Sequence, residues 1–77
     1  MNRHDALVMF HNLVEESPGA IGEEVALRDV PRWDSLTILD FLAKADELFK
    51  IRLSPARVIR CTTVRELIDL LGENRAA

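Results

Sequence analysis

The sequence predicts an all-α fold: a four-helix bundle with three longer helices, a short third one and a long first connection. Three observations lead there. Apolar residues recur at three- and four-residue spacing over segments long enough to be helices. Good helix-starting residues stand at the head of three of these segments. No alternating pattern of useful length competes with them, since Lys50 to Leu53 alternates over too few residues to build a sheet. There is no internal repeat and no low-complexity tract. Residues 1–77 read as a single domain, with 73–77 expected to fray.

The first helix is expected over roughly residues 3–16, where Ala6, Leu7, Phe10, Leu13 and Val14 make one apolar stripe before Ser17-Pro18-Gly19 stops it. The connection from there to Asp34 carries Ile21, Val25, Leu27, Val30 and Trp33, too many apolar residues for a solvated linker. It is expected to lie across the helices with a short turn of its own. The second helix runs from about Ser35 to Lys50, behind two good capping residues, Asp34 and Ser35. Leu36, Leu39, Leu42, Ala43 and Phe49 form its expected apolar stripe, widened by Phe41, Ala45 and Leu48, with Thr37, Asp40, Lys44 and Glu47 opposite. Ser54-Pro55 announces the short third helix, which should end before Cys61-Thr62. Thr63-Val64-Arg65-Glu66 has capping-box spacing and opens the fourth, expected to stop at Gly72.

A chain of 77 residues has room for one modest core and buries only roughly 60% of the surface it exposes when unfolded. Its single cysteine, Cys61, excludes an intrachain disulfide, and no cluster of thiols and imidazoles suggests a metal. Helix packing must therefore hold it together, and 48% hydrophobic residues can supply that. No apolar stretch approaches a membrane span, and no signal-peptide core follows the first residues, so a cytoplasmic, reduced setting is expected. The net charge of −3 argues against nucleic-acid binding. The charge is unevenly placed: residues 1–34 are net −4, residues 35–60 net +2.

Catalysis is not expected. His4 and His11 share roughly one face of the first helix without a third metal ligand, and read as partly exposed polar-face residues. Cys61 reads as a small packed residue, and Glu15-Glu16 and Glu23-Glu24 as solvated neighbours. Ser35 differs. Read locally it is an ordinary helix cap, but free N–H groups and the macrodipole at a helix start also favour an attached phosphate.

Asp34-Ser35-Leu36 at the head of an amphipathic helix resembles the Asp-Ser-Leu motif of acyl carrier proteins. The resemblance continues through Thr37-Ile38-Leu39-Asp40-Phe41-Leu42 and Glu47-Leu48-Phe49. It extends to Ile51-Arg52-Leu53-Ser54-Pro55 before the short helix and to Thr62-Thr63-Val64-Arg65-Glu66-Leu67-Ile68 at the fourth. It covers nearly the whole chain. The resemblance implies a 4′-phosphopantetheine arm, taken from coenzyme A by a Mg²⁺-dependent phosphopantetheinyl transferase and attached to Ser35. The arm would hold acyl groups as thioesters. It implies roles for Asp34 as cap and Leu36 as an apolar contact, and a partner face of Leu36, Thr37, Asp40 and Glu47, although helix solubility alone accounts equally well for Thr37 and Asp40. It further implies a monomer whose partners are acyl-loading and acyl-processing enzymes (a ligase, ketosynthase or acyltransferase) of a fatty-acid-like, polyketide or other specialised pathway. Cargo would shelter against Phe41, Leu42 and Ile59.

Two departures stand out. Thr37 occupies a position where carriers of primary fatty acid synthesis frequently have an acid, and Lys44, Lys50, Arg52, Arg57 and Arg60 make this half positive. Dedicated partners of a different charge pattern are therefore expected. Arg32-Trp33 replaces a glycine-containing approach, and Trp33 is expected to plug the core. A peptidyl or aminoacyl carrier, or a helical interaction module that is never modified, remains the alternative.

Overall fold

The computed structural model describes residues 2–17 and 19–74. Four helices follow one another: α1 (Arg3–Leu13), α2 (Ser35–Phe49), α3 (Pro55–Arg60) and α4 (Val64–Asn74), with a single 3-10 turn at Leu27–Asp29 in the long connection. No strand occurs among the described residues, only an isolated bridge between Ala26 and Thr63. α1 packs against α2 and α4, and α2 against α3.

α1 starts where the Asn2 side chain accepts the Asp5 N–H. It ends three residues sooner than the sequence suggests. Val14 caps it, Glu15 turns into the left-handed region at φ 58°, and the Glu16 N–H returns to the His11 carbonyl. The stop is thus made before Ser17-Pro18-Gly19, of which Pro18 lies outside the described residues. α2 ends as expected at Lys50, also left-handed (φ 58°), where the Ile51 N–H reaches back to Ala45. The Lys50 N–H itself bonds to the Asp46 carbonyl, a 5→1 closure at a left-handed residue with buried Ile51 behind it. α3 has proline in its first turn, as Ser54-Pro55 indicates. At α4 the Thr63 hydroxyl accepts the Glu66 N–H, but the Glu66 carboxylate reaches past Thr63 to the N–H and hydroxyl of Thr62. α4 then runs through Gly72 to Asn74 instead of stopping. Residues 75–77 of the expected frayed tail lie outside the described residues.

The core gathers Ala6 and Phe10 of α1 with Val14 just past its end, Phe41 and Ala45 of α2, Val58 of α3, and Val64, Leu67, Ile68 and Leu71 of α4. Leu27 and Val30 of the connection join them, so the connection does lie across the helices. Two residues are not where periodicity placed them. His11 is buried, at 1% exposure, because the connection folds over it. The inward face of α2 is centred on Ile38, Phe41, Ala45 and Phe49, which leaves Leu36, Leu39 and Leu48 of the expected stripe mainly exposed and Ala43 outside as well.

Candidate functional site

The head of α2 is built from behind. Trp33 plugs the core as expected: it is half-buried, with ring centroids 5.5 Å from Phe10 and 5.6 Å from Phe41. Its N–H donates to Val30, whose own N–H donates to Leu27. Leu27 is in turn bound through its N–H to the Thr62 carbonyl, and Val64 donates to Val25. The approach to α2 is thus bolted to the start of α4 by main-chain bonds. Arg32 adds an ion pair with Glu15 beside the end of α1.

Asp34 takes the cap. Its backbone is extended, and its carboxylate accepts the Thr37 N–H at 2.9 Å. The bonds from Thr37 hold the Asp34 carboxyl below its usual range, with the Leu36 N–H and Arg32 assisting. Ser35 is therefore not the capping residue that a local reading allows. It is the first residue of the helix, exposed, and its hydroxyl takes part in none of the hydrogen bonds among the described residues. No acid follows it in the first turn, so the positive end of the helix is left unneutralised beyond Asp34. A nucleophilic hydroxyl stands free at the place where a phosphodiester would be stabilised. The residues present fit a phosphate-linked arm.

Leu36, next to it, is 74% exposed, and Leu39 60%. Asp40 and Glu47 are exposed and Thr37 half-buried. Burying one leucine of this size is worth about 1.5–3 kcal/mol, and two leucines on this helix forgo that gain. Of the expected partner residues, Leu36, Asp40 and Glu47 lie on the outer side of α2, with Thr37 less exposed beside them. Of the residues expected to shelter cargo, Phe41 is buried, Leu42 half-buried, and Ile59 of α3 66% exposed rather than in the core. An open groove of about 540 Å³ lies between α1 and the C-terminal half of α2, against Met9, Leu13, Leu48 and Phe49. Sequence periodicity missed the outward Leu36, Leu39 and Ile59, because apolar residues surround α2 and a six-residue helix has no resolvable period.

The remaining candidates have structural duties. His11 bonds through both ring nitrogens, while His4 is exposed. Cys61 is half-buried, its thiol donating to the Arg57 carbonyl at 3.5 Å. Glu23 is not simply solvated: Arg3 holds its carboxyl below the usual range and also binds Asp69 at 2.7 Å, tying α1, the connection and α4 together. Among the described residues no group of histidine, cysteine and carboxylates could hold a metal, and no helix is long and apolar enough to cross a membrane.

Comparison with known proteins bears on the same residues. The family described as phosphopantetheine attachment site matches residues 13–71. No match is found among curated protein sequences. The solution NMR structure of holo acyl carrier protein from Geobacter metallireducens superposes with a TM-score of 0.75 at 23% identity, over 96% of this chain and 86% of that one. At that identity the likeness is one of fold.

Proposed function

Because the chain belongs to the phosphopantetheine attachment-site family and is a carrier protein with covalent 4′-phosphopantetheine as its cofactor, we propose that Ser35 bears that arm and that the protein shuttles acyl groups between enzymes. One observation carries the reading: the Asp34 carboxylate caps α2, which leaves the exposed Ser35 hydroxyl uncommitted. In the loading step Ser35 Oγ attacks the pantetheine-side phosphorus of coenzyme A. The new P–O bond forms as the phosphoanhydride breaks, 3′,5′-ADP departs, and the serine proton passes to a base of the transferase. When bound, the arm supplies a thiol that holds acyl groups as thioesters. The chain's own part is to present Ser35 on a fixed helix end, to offer Leu36 as an apolar contact, and to expose Thr37, Asp40 and Glu47 beside it. It performs no catalytic step, and works as a cytoplasmic monomer.

Intact-mass spectrometry tests this. Incubation with coenzyme A, Mg²⁺ and a promiscuous phosphopantetheinyl transferase should add one arm, and Ser35→Ala should abolish the gain. An unchanged mass in the unaltered protein would end the carrier reading in favour of an unmodified interaction module.

Charge supports a narrower reading of the partners. From Leu48 to Arg65 the chain has no acid and five bases, Lys50, Arg52, Arg57, Arg60 and Arg65, all on exposed residues. Encounter rates follow complementary potentials, so the enzymes served are those of a specialised fatty-acid-like or polyketide pathway with acidic docking surfaces. Turnover with primary fatty-acid-synthesis enzymes equal to that of their own carrier would sink this part alone.

A further inference from the structure

His11 is the buried polar side chain of the core among the described residues, at 1% exposure. Its Nδ1 lies 2.7 Å from the Leu7 carbonyl oxygen, and its Nε2 lies 3.1 Å from the Ile21 amide nitrogen. A carbonyl only accepts and an amide N–H only donates, so this pair of partners admits one form of the ring: neutral, with its hydrogen on Nδ1. A second proton on Nε2 would point at the Ile21 hydrogen. It would break that bond and leave a charge sealed from water, with the Phe10 ring 5.6 Å away.

The charged groups around the segment lie on the neighbouring elements, and the Glu24 carboxylate sits against Gly22. His4 and Glu23 are the other titratable residues lining the recess of about 370 Å³ beside the ring, among the described residues. The Glu23 carboxylate is already bound by Arg3, which also engages Asp69 from α4. The connection is held differently along its length. Glu23, Val25 and Leu27 are fastened to residues 62–65 by main-chain bonds, Arg65 N–H to Glu23, Val64 N–H to Val25 and Leu27 N–H to Thr62. None of these titrates. Ile21 is fastened to α1 through the imidazole.

We propose that His11 is a proton-operated latch: protonating it frees the segment around Gly19–Gly22 from α1, while residues 23–34 and the head of α2 stay in place. The closed segment accepts only the neutral ring and the open one accepts either form. The open state therefore binds the extra proton, and falling pH favours it. The open segment would uncover apolar surface of Leu7, Val8 and Ile21.

Amide hydrogen exchange followed by NMR between pH 7.5 and 5.0, normalised to the intrinsic rate of an unstructured chain, tests the latch without reference to Ser35. Protection of the Ile21 amide should fall by up to about tenfold per pH unit, as one linked proton allows, while that of the Val64 amide stays constant. His11→Gln, which can donate to Leu7 and accept from Ile21 without titrating, should hold Ile21 protection level. His4→Gln should keep the unaltered slope. A flat Ile21 profile, an equal loss at Val64, a slope retained in His11→Gln or one lost in His4→Gln overturns the proposal. Should His11→Gln not fold, imidazole ¹⁵N shifts of the unaltered protein decide: a His11 midpoint matching the loss of Ile21 protection supports the latch, and separate midpoints reject it.

Discussion

α4 and α2 are both rich in leucine, yet they treat it in opposite ways. α4 buries Val64, Leu67, Ile68, Leu70 and Leu71 to 5% exposure or less. α2 fully buries only Phe41 and Ala45, and leaves Leu36, Leu39 and Leu48 more than half exposed. Position explains the difference. α4 closes the core against α1 and receives the long connection on its first turn, so each apolar residue has something to meet. α2 has the bundle on one side and water on the other. A helix that served only stability would not keep leucine on its wet side, given the free energy its burial offers. By this measure α4 is scaffold, and α2 carries the surface we propose for partners.

Leu67→Ala should separate the two most sharply. Truncating this fully buried side chain should cost about 2–5 kcal/mol, seen as a lower urea midpoint; a loss no greater than that of a surface substitution would remove α4 from the scaffold. Thr63→Ala takes away the hydroxyl that accepts the Glu66 N–H and should cost about 1 kcal/mol in the same titration. Leu36→Ala, at the exposed end of α2, should change stability by no more than about 0.5 kcal/mol. It should nevertheless lower kcat/KM for arm transfer, and an unchanged kcat/KM would show that the leucine is not a contact. The smallest effect is a pH dependence. Thr37 holds the Asp34 carboxyl below its ordinary value, so the cap contributes above the normal carboxylate range, near pH 4, and loses that contribution as pH falls through the lowered folded value. Asp34→Asn keeps a good cap without the titration. Between pH 5 and 3 it should lose stability less steeply than the unaltered protein; identical slopes would mean that the cap is not the source.

Much of this was legible beforehand because the signals were local. Asp34 before Ser35, Ser54 before Pro55 and Thr63 three residues before Glu66 place three helix starts, since capping depends on neighbours within one turn. Asp34-Ser35-Leu36 pointed to Ser35 only through its resemblance to the acyl-carrier motif, since read locally the serine is an ordinary cap. Trp33 could be expected inside from its size and place. The end of α1 was less legible, because Glu15, a residue with no turn preference, takes the left-handed conformation that glycine usually supplies.

The sequence by itself determined four helices, their order and starts, the long first connection, the serine at the head of the second helix, and the crowding of positive charge beyond it. Each follows from residue type and short-range spacing. Tertiary structure alone decided which side of α2 faces inward, because apolar residues surround that helix and only the positions of α1 and α3 choose among them. It decided that His11 is buried, since the cover comes from Ile21, ten residues away, and no spacing rule ties a loop amide to an imidazole. And it decided that Asp34, not Ser35, caps the helix. Both could accept a first-turn N–H, and the extended backbone imposed on Asp34 by the anchored connection gave the bond to its carboxylate and left the hydroxyl free.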